Sequence, residues 1–420
     1  MNNKKLNFYI TNLNLVNIII GYTFFISLLM PFTSNQIDAS QTITIPYRAF
    51  SLFLSLFVIL INLKSKSKLT FPVFLFFLFW IMVLLRMFYD LEVRSDFYVE
   101  VRDKNKVWLI AVGACFIPMI SIYKSFKFID FDYSLKLLFA CCVIILIPSL
   151  LFSLQKLDEG QRETGNAALD PITFAMSGVT LSLLSIYKII EGKIKNKFRG
   201  VLNLIYCFLG LFLALKTGSR GPIIGFFIII FIWYSIKKKK GIFFYSFFSI
   251  FFFLLINQFI TLISFVSPLL GKRFSEGLSG DDMSLLARQE SYAWFISQIF
   301  EYPFLGSQFA RLGNGTYPGY AHSLFLDILL GFGIIGLAVF LYCVYKGFFN
   351  FKIKIKHNQH YWVGLIMLQY FLLSLTSGAF YSDPPLNCLI LLTLLLSSNQ
   401  QKSLNNLREY ESINFTKSYF

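Results

Sequence analysis

Charge is scarce in this chain. Asp, Glu, Lys and Arg make up 14% of its 420 residues, against about 25% in soluble domains. Histidine is scarcer still, with three copies. Of the six cysteines (Cys115, Cys141, Cys142, Cys207, Cys343 and Cys388), none falls in a polar loop and none has CxxC spacing. That argues against a disulfide frame and a thiolate metal site, and leaves small buried hydrophobes. The GxSxG, HExxH and Walker patterns are all missing, so the common nucleophile-elbow, zinc-protease and P-loop chemistries gain no support. The first apolar stretch, about Phe8 to Met30, lacks a small-residue cleavage pattern and reads as a retained span. No internal repeat is visible, so an inverted-repeat transporter gains no support.

What is abundant is apolar surface: 56% of the residues are hydrophobic and 19% aromatic. Most runs between charge clusters are about 15–25 residues long, enough to cross a bilayer as helix. A water-soluble core cannot absorb that many apolar segments, so the expected class is an all-α polytopic membrane protein. About twelve transmembrane helices are expected, over 8–30, 45–63, 69–88, 107–123, 135–154, 171–190, 200–216, 221–236, 241–264, 322–345, 361–380 and 385–398. The corresponding division is 1–264 for nine spans, 265–321 for one large loop, 322–398 for three more spans and 399–420 for a polar tail.

The net charge of +16 would suggest nucleic acid in a soluble protein. Here the positive residues sit in short loops, and no compact basic domain carries them, so nucleic acid is not an expected partner. The Lys-rich loops fall on alternate sides of the spans: Lys64–Lys68, Lys124–Lys127, Lys188–Arg199, Lys237–Lys240, Lys346–Lys356 and the tail. By the positive-inside rule these face the cytoplasm, as do both termini.

The loop 265–321 then lies outside. Loops longer than about 15 residues are usually functional. Asp281, Asp282 and Ser284 are N-cap candidates before SLLARQESYAWFISQIF, and Arg288, Tyr292, Phe295 and Ile299 recur at helical spacing. The pattern predicts an amphipathic helix on or near the outer membrane surface, closed by Pro303, then a glycine-rich return to His322.

Four outer-face residues carry the chemistry of interest. In LKTGSRGPIIGF (215–226) a tight glycine turn sets Arg220 beside a helix N-terminus, a combination that favours phosphate. An interfacial arginine reaching for lipid headgroups would look the same. Arg288 lies on the loop helix, either rimming it or pointing into a cleft. Arg162, in an outer loop just before Pro171, taken alone reads as an ordinary loop charge. His322 heads a span in GYAHSLFLDILLGFGIIGL (319–337), and its side chain can exchange a proton near neutrality. His357 and His360 lie on the opposite side and read as surface residues. The acids Asp281 and Asp282, and Asp90, Glu92 and Asp96, read as solubilising or capping groups, so no metal site and no cofactor is expected. Several arginines suit a diphosphate, one histidine suits a general base, and the setting suits a lipid-linked sugar donor.

Three of these stretches resemble the O-antigen polymerase and O-antigen ligase superfamily of bacterial inner-membrane glycosyltransferases. TGSRGPIIGF is similar to its arginine turn. LLARQESYAWFISQIFEYPFLGSQF is similar to its loop pattern of Arg, Trp and a Pro-x-x-Gly return. GYAHSLFLDILLGFGIIGL is similar to its His-led span. RETGNAALDPITFAMSG (162–178) looks more like the polymerases. The family often has His-Asn where this chain has His322-Ser323, and a further Gly where it has Gln308. The resemblance implies a metal-independent, inverting transfer from a polyprenyl (undecaprenyl) diphosphate-linked oligosaccharide at the periplasmic face. In that scheme His322 takes the acceptor proton, Arg220 and Arg288 hold the diphosphate, and Arg162 holds glycan. A polymerase is expected, with a chain-length regulator as a possible partner. A ligase acting on lipid A core, or a lipid-linked oligosaccharide flippase, are the alternatives.

Overall fold

A computed structural model describes residues 3–29, 38–65, 67–94, 101–152, 171–191, 196–238, 260, 263–264, 267–280, 283–308, 322–357, 360–377 and 379–396. All regular structure among them is helical: α1 (Asn3–Ile20), α2 (Thr23–Leu29), α3 (Asp38–Ile61), α4 (Phe71–Phe88), α5 (Val101–Trp108), α6 (Ile117–Ser125), α7 (Phe131–Phe152), α8 (Pro171–Ile190), α9 (Lys197–Lys216) and α10 (Arg220–Lys238) come first. They are followed by α11 (Pro268–Ser279), α12 (Met283–Glu301), α13 (Leu324–Lys356), α14 (Trp362–Ser374) and α15 (Pro384–Leu395). A wide π turn, Tyr89–Val93, extends α4, and another, Leu109–Phe116, joins α5 to α6.

Seven described helices are long and apolar enough to cross a membrane. Each falls on an expected span. Their outward faces carry large apolar side chains, with Phe53 70% and Phe208 68% exposed. Such a belt is stable against lipid rather than water. The chain is an all-α polytopic membrane protein. The expected span 8–30 is divided between α1 and α2 at Gly21, whose φ is +67°. The expected spans 361–380 and 385–398 carry the short apolar helices α14 and α15. The predicted span 241–264 lies almost wholly outside the described residues, as does the tail from 399.

The apolar reading of the first span missed a ladder of buried amides on α1. Asn7 and Asn62 exchange side-chain hydrogen bonds at 2.9 and 3.0 Å. Asn14 donates to Ser121 and accepts from Ser55. Asn17 donates to Ser51, and Asn12 accepts from Ser134. Lipid offers these groups nothing, so each pair ties α1 to a neighbouring helix, at about 0.6–2 kcal/mol apiece. The same logic joins α14 to α8, where Gln369 accepts from Thr180 and donates to the Met176 carbonyl.

The helices have two recognisable ends. At the lysine-rich end, Lys237 pairs with Glu191 at 3.7 Å, and His360 stacks on Phe131 beside Asp132. His360 is therefore packed, not the surface residue expected. The opposite end carries α11, α12 and the segment that follows them, and it holds the candidate site.

Candidate functional site

The turn between α9 and α10 is built as the sequence demands. Thr217 and Ser219 are buried, the Ser219 N–H donates to Thr217 Oγ1 at 3.2 Å, and Gly218 has φ +66°. Only glycine adopts that conformation without strain. Arg220 then opens α10, where free N–H groups and the helix dipole favour an anion. Its Nη1 donates to the Arg273 carbonyl at 2.6 Å, and Arg273 Nη1 donates back to the Gly218 carbonyl at 2.9 Å. Two guanidiniums are thus locked together at one helix start.

Arg273 was not among the expected site residues. It sits on α11, a helix that the loop pattern did not reveal. Ser267 caps α11 by accepting from Leu270 N–H, Pro268 occupies its first turn, and Gly280 closes it at φ +84°. The signal available in the sequence was Ser267-Pro268, a capped helix start, followed by Arg273 one to two turns later.

The return from α12 explains two glycine motifs. α13 has 33 residues, about 50 Å of helix, well beyond the roughly 30 Å hydrocarbon core. It breaks at Gly333, where φ is 60° and ψ −162°. A break inside an apolar helix frees backbone groups that need other partners. The chain from Pro303 to Gln308 satisfies them. Ile334 N–H donates to the Pro303 carbonyl at 2.8 Å and Ile335 N–H to the Phe304 carbonyl at 3.4 Å; Ser307 and Gln308 N–H both donate to the Leu330 carbonyl, at 2.8 and 3.2 Å. A Cβ on Gly333 would fall inside the Phe304 carbonyl group. The Pro-x-x-Gly return and the glycine-rich head of α13 are therefore one interlocked unit.

α12 packs on the same unit. Phe295 and Leu330 are fully buried against each other, with Trp294, Ile299 and Leu326 around them. The loop helix is thus seated on α13, while its other face leaves Phe300 79% exposed. Arg288 lies on α12. Arg162 lies outside the described residues, as do Asp281, Asp282 and Asp96.

His322 precedes α13, half-buried, at φ +50°, a conformation uncommon for a side-chain-bearing residue. One turn on, Asp327 is buried and donates its N–H to the Ser323 carbonyl. The Phe325 ring meets Phe371 of α14 at 6.2 Å. The start of α10 meets the same stretch, because a Cβ on Gly221 would lie 3.6 Å from Thr376 Oγ1 and 3.7 Å from Leu373. The structure brings Arg220, with Arg273, and His322 to the same end of α14. Beyond it, Asp383 caps α15 by accepting from Leu386 N–H at 3.0 Å and bonds Ser374 Oγ at 2.6 Å. Burial raises its carboxyl to about 6, although both hydrogen bonds favour the ionised form.

Asp90 differs from its reading as a solubilising loop acid. It is 0% exposed and lies between Arg86 (2.9 Å) and Arg94 (3.6 Å), each four residues away on the helix. Glu92 instead accepts from Trp108 Nε1 at 3.2 Å. Among the described residues no three His, Cys, Asp or Glu side chains gather as a metal site would require.

Residues 205–341 match the family model described as O-antigen ligase. The matched segment runs from within α9 to within α13, so it contains Arg220, Arg273, Arg288, the Pro303–Gln308 return and His322. No curated protein and no solved structure matches the chain.

Proposed function

We propose that this chain, whose family match supports the O-antigen polymerase and ligase superfamily, is a polymerase of a lipid-linked surface polysaccharide. It would work in the bacterial inner membrane, with both termini in the cytoplasm and the site on the periplasmic face. The donor is a glycan on polyprenyl (undecaprenyl) diphosphate, and the acceptor is a sugar hydroxyl of another lipid-linked repeat unit. Arg220, joined by Arg288, holds the diphosphate, and Arg162 holds glycan.

His322 removes the acceptor proton as the hydroxyl oxygen bonds to the anomeric carbon. The bond from that carbon to the phosphate oxygen breaks, the electron pair leaves with the diphosphate, and the anomeric configuration inverts. The guanidiniums offset charge developing on the leaving group. No metal is needed, because arginines and a helix start supply that charge. A chain-length regulator is a partner to look for.

One observation supports this reading: the start of α10, which carries the Arg220–Arg273 pair, and Phe325, three residues after His322, both meet the last turns of α14. The test is chain growth by purified protein on a lipid-linked repeat unit in detergent, where sidedness is lost. Growth is expected; no product under any condition would favour a transporter. The ligase reading remains the alternative because the matching family model carries that description. A deletion strain separates the two. Single repeat units on the lipid A core mean polymerase, and full-length chains left on the carrier mean ligase.

A further inference from the structure

A cavity of about 640 Å³ opens between the end of α4 and the return from α12. Its size is that of a small-molecule site, roughly 300–1,000 Å³, but its lining is not apolar. Arg86, Tyr89, Arg94, Gln298, Glu301, Tyr302, Ser307 and Gln308 line it with Gly306, and Val93 is the aliphatic contribution. In a protein that meets lipid on most sides, so polar a recess needs a polar occupant.

The walls are held in place. The buried Asp90 fixes Arg86 at 2.9 Å and lies 3.6 Å from Arg94, and Arg94 Nη1 donates to the Ser307 carbonyl at 3.0 Å. Ser307 and Gln308 are themselves bonded to Leu330. The Ser307 hydroxyl is buried and makes no hydrogen bond among the described residues. Tyr89 and Tyr302 are half exposed, at 50% and 49%, so their rings are available to a ligand.

The charges decide the ligand class. Asp90, buried behind the wall, offsets one of the two guanidiniums, and Glu301 in the lining offsets the other, so the recess is close to neutral. A phosphate would be repelled by the Glu301 carboxylate. A sugar would not: each hydroxyl both donates and accepts, and the amides, phenols and guanidiniums supply both kinds of partner. Ring faces suit the C–H face of a pyranose. We propose that this recess is a glycan subsite, binding a sugar unit of the repeat apart from the diphosphate. The proposal rests on the polymerase reading for its ligand. Its place agrees with that reading, since the recess floor is bonded to the half of α13 that begins next to His322.

The test uses the full chain in detergent. The probe is the repeat-unit oligosaccharide released by mild acid from the host's own carrier lipid, free of lipid and diphosphate. Calorimetric titration should show binding to the wild type. Tyr302→Ala and Gln298→Ala should each weaken it about tenfold or more, while Arg220→Ala keeps it. Neither tested wall residue makes a described structural bond through its side chain, and unchanged melting in detergent confirms folding. No binding to the wild type, or equal binding to the folded wall variants, overturns the subsite. Chain growth on the lipid-linked unit is scored separately. Growth with unaltered binding in the wall variants refutes the subsite alone. Wall-dependent binding without growth refutes the polymerase and leaves the subsite standing.

Discussion

Arg220 and Arg273 are bonded reciprocally: each guanidinium donates to a backbone carbonyl of the other's segment, at 2.6 and 2.9 Å. Arg273 therefore positions the turn that carries Arg220. Hydrogen bonds from charged groups are worth about 1.5–3 kcal/mol, or roughly 10- to 150-fold in rate if they are lost in the transition state. Arg273→Ala should slow chain growth by about that factor with normal membrane insertion. Arg220→Lys keeps charge but loses the planar fork, and a strong defect is expected. Equal activity with Lys at 220 would remove diphosphate recognition from that position.

His322→Ala should abolish chain growth while leaving expression, insertion and melting in detergent unchanged. Retained activity would end its assignment as the base. His322→Asn is the companion variant, since Asn also tolerates positive φ. It should be equally inactive, which separates loss of the proton acceptor from loss of the backbone shape.

Gly333→Ala should lower thermal stability in detergent. The positive φ alone costs of order 1–3 kcal/mol, and the added carbon would enter the Phe304 carbonyl group. Gly280→Ala, where nothing lies within 4 Å of the new carbon, should cost less. A melting curve for Gly333→Ala no lower than that of Gly280→Ala would contradict the interlocked return.

Asp383 gives a pH dependence of stability. Its carboxyl is raised from 3.8 to about 6, so between those values the folded chain holds a proton that the unfolded chain has lost. The corresponding contribution is full below about pH 4 and falls as pH rises towards 6, then stays flat. The change is of order 2–3 kcal/mol. Asp383→Asn should flatten this part of the profile, measured by melting at pH 4.5 and 7.

Metal removal supplies the fifth test. EDTA should leave chain growth unchanged. Loss of growth that Mg²⁺ restores would redirect attention to Asp281 and Asp282.

The long spans were legible because apolar runs of bilayer length have few other uses. The arginine turn was legible too, since Gly218, Gly221 and Pro222 spell out a turn and a helix start. Arg273 was not, because its partners are backbone carbonyls, which leave no mark in a sequence. Asp90 could have been read better: Arg86, Asp90 and Arg94 stand four residues apart, the spacing of an ion-paired helix face. Asn7 and Asn14 likewise repeat at seven residues along one side of α1. The break in α13 was hidden, because glycine in an apolar run signals permission to bend and not the segment that fills the bend.

That filled bend sets a rule for how this chain tolerates insertions and deletions. Four backbone bonds between 303–308 and 330–335 require a fixed residue count on both sides. Adding or removing one residue there would throw the bonds out of register. Chain length in related proteins should therefore not vary inside either of these two pinned stretches.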